Sequence, residues 1–166
     1  MSSVDNSDFS SDLRLTTMTC QQFESFREMS CSMYARASPF YRDMILAVAI
    51  DQIMKDFDLR FAPEGFSTLG QFFLAIMIGS EQIGYFHFSE FPKGSNSIFG
   101  WNFHIFEKYQ RKGWGQKSAE LAKDFLNKRG YNKIAINVVS DNKAAIKIYN
   151  ALGFQITQLT MEAKTC

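Results

Sequence analysis

At 166 residues and 19.0 kDa the chain can support one hydrophobic core but hardly two, since domains run to roughly 100–150 residues, and one active site is expected. With 46% hydrophobic, 15% aromatic and 21% charged residues it is neither disordered nor collagen-like, and a net charge of +1 supplies no global field to recruit nucleic acid or an anionic membrane. The longest apolar runs, residues 44–50 and 72–78, fall far short of the ~20 residues a membrane span needs, and no basic segment followed by an apolar one opens the chain, so a cytoplasmic protein is expected.

Residues 1–12, MSSVDNSDFSSD, are rich in Ser and Asp and are expected to form a flexible lead-in, leaving residues 13–166 as the folded domain. LRLTTMT at residues 13–19 alternates apolar and polar side chains, the period of a short strand. From Cys20 to Ala37, Phe23, Phe26, Met33 and Ala37 keep near-helical spacing; Ser38-Pro39 then offers an N-cap and a first-turn proline for a second helix reaching about Phe57. FAPEGFST carries the turn residues that end it. After Gly70 the period changes to two. GQFFLAIMIGS, QIGYFHFSEF and SIFGWNFHIF, separated by turn chemistry, read as three consecutive antiparallel strands.

Helical spacing resumes near Gly115, where Ala119, Leu121, Ala122, Phe125 and Leu126 form a stripe closed by Gly130. KIAINVVS returns to strand, and NKAAIKIYNALGF is a second amphipathic helix with Gly153 as its C-cap. Residues 155–164 are expected to form a last strand or a kinked pair. The predicted order is β-α-α-β-β-β-α-β-α-β, an α/β (α+β) arrangement. Cys20 and Cys31 on one helix would stand about 16 Å apart, too far for a disulfide. Two histidines, His87 and His104, and no Cys/His cluster make a metal site unexpected.

Chemistry concentrates in YQRKGWGQKS, residues 109–118, between the last meander strand and the following helix. Unpaired amides at a helix N-terminus favour an anion, glycines let it approach the backbone, and Arg111 and Lys112 can add charged donors. A plain strand-to-helix turn with a solvated basic loop fits the same ten residues. The P-loop spacing fails because Gln116 precedes Lys117-Ser118, and the dinucleotide fingerprint fails because Ser118 stands where its third glycine is needed. Coenzyme A, whose pyrophosphate could sit on the loop while its pantetheine arm runs along a strand edge, remains.

Gln110-Arg111-Lys112-Gly113-Trp114-Gly115 resembles the Q/R-x-x-G-x-G/A loop of the GNAT superfamily of acyl-CoA-dependent N-acetyltransferases, and residues 142–154 resemble that superfamily's N-x-x-A-x-x-x-Y-x-x-x-G-F helix. The resemblance implies a single GNAT-like domain with a mixed, mostly antiparallel central sheet whose strands splay to admit acetyl-CoA as cosubstrate, without a metal. It places Ile105 against the pantetheine through its main chain, Arg111 to Gln116 on the pyrophosphate, Asn142 near the pantetheine, and Trp114 under the helix or beside the cofactor. Tyr149 becomes the acid that protonates the leaving thiolate.

Some relatives that acetylate protein N-termini carry Glu or His five residues before the motif asparagine; here that position is Asn137, which cannot take a proton but could orient a water. His87, Glu90, Asn102, His104 and Glu107 lie in or beside the meander, and a bulge there would decide which face Asn102 and His104 occupy. The resemblance places the acceptor region between the two helices after the first strand and the strands at the end of the chain, and the first of these is aromatic here through Phe40, Tyr41, Phe61 and Phe66. The short tail after Phe154 suggests an open site for a peptide or protein amine, with a homodimer whose partner subunit supplies a lid as the alternative. A polyamine, amino acid or aminoglycoside acceptor, or a CoA-binding module that has lost catalysis, are the rival readings.

Overall fold

The computed structural model describes residues 12–61, 64–161 and 163. Most of the expected lead-in therefore lies outside the described residues. The alternating segment forms β1 (Leu13–Thr17), which pairs antiparallel with β2 (Gln71–Ile78); β2 pairs with β3 (Glu81–Glu90) and β3 with β4 (Ser97–Ile105), giving the expected meander. A parallel fifth strand, β5 (Lys133–Ile136), closes the order β1-β2-β3-β4-β5.

Helix α1 (Cys20–Ala37) begins where the Thr19 hydroxyl accepts from the Gln22 amide at 3.2 Å while the Gln22 side chain accepts from the Thr19 amide at 2.9 Å. This reciprocal cap satisfies two otherwise orphaned donors. Ser38 and Pro39 do not start the second helix: they open a short 3-10 turn with no side-chain cap, and α2 spans Leu46–Phe61, several residues later than the spacing predicts. The Arg27 guanidinium forks onto the Asp58 carboxylate and ties the two helices together.

The sheet carries two cores. On one face α1 and α2 bury Phe23, Phe26 and Phe61 against Phe73 and Tyr85; on the other, α3 (Trp114–Asn127) lays Ala122 and Leu126 onto Ile76, Ile83, Phe86 and Ile105. Helix α4 (Lys143–Ala151) packs beside α3 without burying any residue fully. Between these helices β5 is shorter than its apolar run, since Asn137 to Ser140 leave the sheet. Among the described residues after α4 no strand forms, so the expected last strand is absent there; Ile156, Leu159 and Met161 instead stand exposed on irregular chain.

Such a bulge is present. His87 pairs with Asn102 and Phe88 with Gly100, which leaves Trp101 as the extra residue on β4. One inserted residue reverses the parity of the strand. Ile98, Phe103 and Ile105 consequently pack in the α3 core, while Asn102 and His104 oppose His87 and Tyr85 on the α1–α2 side. Trp101 is half exposed, and its indole donates to the Ser89 hydroxyl at 2.7 Å.

His87 is buried in the aromatic core, and burial pushes its pKa down to about 3. Below the ordinary value near 6.5 the unfolded chain takes up a proton that the folded ring refuses. Stability from this group is therefore complete above pH 6.5 and falls by about 1.4 kcal/mol per unit between there and about pH 3. His87→Gln is expected to flatten that acid limb in denaturant titrations at pH 7, 6 and 5; an unchanged slope would show that the ring titrates normally in the fold.

Candidate acyl-CoA cleft

β4 and β5 pair only from Ser97 with Lys133 to Gly100 with Ile136. Beyond Gly100, β4 runs on to Ile105 with no partner on that side among the described residues, and the gap opens into a cleft of about 700 Å³. Two glycines shape it. A Cβ on Gly100 would stand 3.0 Å from Ile136 Cγ2, so the strands close tightly just before they part. A Cβ on Gly84 would stand 2.3 Å from the His104 carbonyl oxygen, so only glycine lets β3 approach β4 beside Ile105.

The cleft brings together most of the residues expected from the sequence: Ile105, Gln110, Arg111, Gly113, Gly115, Gln116, Asn137, Asn142 and Tyr149 all line it. At its mouth the loop turns through left-handed backbone at Arg111 (φ 58°) and Gly113 (φ 83°), and Gly113 caps α3 with no side-chain bond. The amides of Trp114, Gly115 and Gln116 lack an intrahelical acceptor, as in any first helical turn. Nothing lies within 4 Å of where a Gly113 Cβ would stand, which leaves room for an anion at those donors. Gly115 serves packing as well, because its Cβ would meet Ile148 Cδ1 of α4 at 3.0 Å.

The loop's charges are unequal in what they can offer. Lys108 is held by Glu81 at 2.7 Å, which raises its pKa, and Lys112 donates to the Lys108 carbonyl at 2.9 Å. Arg111 has no ion-pair partner among the described residues. Lys112 and Trp114 do not line the cleft: the indole packs on the α3 core with the Lys117 ammonium 5.2 Å from its ring centre. Gln110 folds back so that its amide donates to the Ile105 carbonyl at 2.8 Å, fixing the strand end to the loop.

On the facing helix the Asn142 side-chain oxygen Oδ1 caps α4 by accepting from the Ala145 amide at 3.1 Å. That cap sets the helix start from which Tyr149 projects. Tyr149 is half-buried, its ring 5.3 Å from Phe154, and burial raises its pKa, keeping the phenol protonated through neutral pH. Asn137 is exposed just past the end of β5. His104 also lines the cleft, and its partial burial lowers its pKa. Glu90 is engaged elsewhere, accepting from Tyr131 at 2.6 Å and from the Gly94 amide at 3.0 Å.

Two features were missed in the sequence. Gly84 sits inside a strand pattern, a position that usually marks close backbone approach, and that placement could have exposed its role. Lys123 and Lys147 also line the cleft, and Lys123 pins the end of α4 by donating to the Leu152 carbonyl at 3.0 Å. Their helical positions read simply as solvated faces.

A family model described as the acetyltransferase (GNAT) family matches residues 32–154, and the chain belongs to that family. The chain is 22% identical to the uncharacterized N-acetyltransferase YdgE of Bacillus subtilis over 92% of its own length and 98% of that protein's. The crystal structure of the uncharacterized N-acetyltransferase YycN from the same organism superimposes with a TM-score of 0.82 at 21% identity, covering 93% of this chain and 99% of that one. The PaiA N-acetyltransferase of Thermoplasma acidophilum, solved in complex with coenzyme A, superimposes at 0.65 with 18% identity over 89% and 92% of the two chains. The protein is thus an acetyltransferase of the GNAT fold, and acetyl transfer from acetyl-CoA to an amine is the general activity that membership supports.

Proposed function

We propose that the chain transfers the acetyl group of acetyl-CoA to the primary amine of a peptide or protein by direct attack within this cleft. The amine lone pair forms the C–N bond at the thioester carbonyl, the C–S bond breaks, Tyr149 gives its proton to the departing thiolate, and the amine's surplus proton leaves through water. The phenol recovers its proton from solvent. Amides of residues 111–116 hold the pyrophosphate, and Arg111 adds charge. The observation that carries the reading is the meeting of the uncapped α3 N-terminus, the unpaired stretch of β4 and Tyr149 in one cleft.

The acceptor class follows from what lines the site. Arg111, Lys123 and Lys147 face the cleft and no carboxylate does among the described residues, an unfavourable surface for a polycation. Without a strong base, an α-amine of pKa about 8 costs roughly 1 kcal/mol to deprotonate at pH 7, against about 4–5 for a lysine. Phe40, at 87% exposed, and Ile45, at 75%, leave the α1–α2 connection open, and Phe61 and Phe66 are spent in the core. An extended peptide end can reach such a site.

Calorimetry with acetyl-CoA, combined with a thiol-release assay against a free-α-amine tetrapeptide, spermidine and an aminoglycoside, tests the reading. Binding with fastest turnover of the tetrapeptide is expected. Binding without turnover of any amine would favour a catalytically inactive CoA-binding module, for which Asn137 and the lack of a carboxylate in the cleft among the described residues are the motivating features. Gly113→Val is expected to weaken acetyl-CoA binding at least about tenfold, because a β-branched residue resists the left-handed backbone that aims the loop amides. Unchanged affinity would remove the loop as the phosphate seat.

A further inference from the structure

Three aromatic side chains form a row on the α1–α2 face of the sheet, beyond the part that the helices cover. Ser89 stands two residues past His87 on β3 and so shares its face, and Phe99 pairs with Ser89 across the β3–β4 ladder. The Trp101 ring centre lies 4.5 Å from that of Phe99, and the Phe91 ring centre 6.2 Å from it. Phe61, the last residue of α2, sits edge-on to His87 at 5.6 Å. Past that point the row meets solvent, with Phe91 61% and Trp101 46% exposed. Single apolar side chains on a surface are ordinary, whereas a contiguous cluster marks a binding surface.

The row is prepared for an apolar guest. The indole N–H is the only hydrogen-bonding group the three rings carry, and the buried Ser89 hydroxyl takes it at 2.7 Å. That bond fixes the indole, so a guest meets a rigid surface that orders little on binding, and no donor is left for a polar guest. The row also runs into the cleft. Trp101 lines it, as the bulge residue one position past Gly100, where β5 leaves β4. On the acetyl-transfer reading the pyrophosphate sits on the loop after Ile105 and the pantetheine arm runs back along β4, which directs its reacting end toward Trp101, roughly 13 Å away. An amine arriving there on the α1–α2 face has Phe99 and Phe91 beside it, on the side away from the loop.

We propose that Phe91, Phe99 and Trp101 form a specificity subsite that takes an aromatic or large apolar side chain from the second or third residue of a peptide whose α-amine is acetylated. The proposal rests on the acetyl-transfer reading above. An extended peptide advances about 3.3 Å per residue, which carries those side chains onto the row once the amine is in the cleft.

Its first test needs no turnover. The chain has two tryptophans, so the isotopically labelled protein gives two indole N–H signals, and Trp101→Phe identifies that of Trp101. The protein saturated with coenzyme A is titrated with a free-α-amine tetrapeptide carrying phenylalanine at its second and third positions. The Trp101 signal should move while that of Trp114 stays, and the matched serine tetrapeptide should move neither. A Trp101 signal that the phenylalanine peptide leaves unmoved overturns the proposal.

The second test is kinetic. The phenylalanine tetrapeptide should show a KM about tenfold below that of the serine one, and Phe91→Ser combined with Phe99→Ser should cut this preference to about twofold with acetyl-CoA affinity unchanged within about twofold. Should the double variant fail to fold, Phe91→Ser alone, at an exposed position, should cut the preference to about fourfold. Equal KM for the two peptides overturns the proposal and leaves the acetyl-transfer reading standing. No turnover of either peptide, of spermidine or of the aminoglycoside, with acetyl-CoA still bound, overturns that reading and the proposal with it. A dimer in sedimentation that Phe91→Ser dissociates would assign the row to a second copy of the chain and overturn the proposal.

Discussion

Tyr149→Phe is expected to lower kcat about 100- to 1,000-fold while acetyl-CoA affinity changes by less than about twofold. The substitution removes one oxygen and keeps the ring that packs 5.3 Å from Phe154, so α4 and its Asn142 cap should survive and the variant should melt close to the unsubstituted protein. What it takes away is the proton proposed for the leaving thiolate. Burial raises the Tyr149 pKa, so the acid form persists through neutral pH and is lost only as pH climbs past that raised value. The unsubstituted enzyme should accordingly lose kcat on an alkaline limb that the variant, having no phenol to ionise, does not show. Equal kcat for the two proteins from pH 6 to 10 would show that another group or bulk water protonates the sulfur.

The same side chain shows what the sequence could and could not disclose. Tyr149 and the glycine loop were legible because their spacing is set by local backbone needs: a cap at Asn142, a left-handed residue at Gly113, a helix start at Trp114. The meander was legible through period two. The start of α2 was not, because Ser38-Pro39 is a valid helix opening by local chemistry and the chain spends it on a single 3-10 turn before α2 packs on α1 from Leu46 onward. The last strand does not form among the described residues although β5 ends the sheet with an unpaired outer edge: that edge is only the four residues Lys133–Ile136 long, and Ile156, Leu159 and Met161 stand exposed instead. The faces of Asn102 and His104 depended on one inserted residue at Trp101. Period two alone would have put them with Ile98, on the opposite side of the sheet.

That dependence on backbone fit makes Gly84→Ala the most informative structural change. A Cβ there would stand 2.3 Å from the His104 carbonyl oxygen and 3.1 Å from Ile105 Cα, both main-chain atoms that cannot swing aside. β4 would have to move away from β3, a cost of about 3 kcal/mol by analogy with overpacked cores. For a chain of this size that lowers Tm by roughly 6–12 °C. The shift should also reach function, since Ile105 is the main chain proposed to meet the pantetheine and its carbonyl anchors Gln110 of the loop at 2.8 Å. Acetyl-CoA affinity in the folded variant should fall several-fold, although position 84 is not among the residues lining the cleft. Gly94→Ala is the control: its backbone is left-handed (φ 77°), which that of Gly84 is not, but its Cβ would meet nothing within 4 Å, so it should cost only the ~1–2 kcal/mol of that conformation and leave acetyl-CoA binding alone. If Gly84→Ala melted and bound like that control, the β3–β4 contact would not be what holds the strand edge in place for the cofactor.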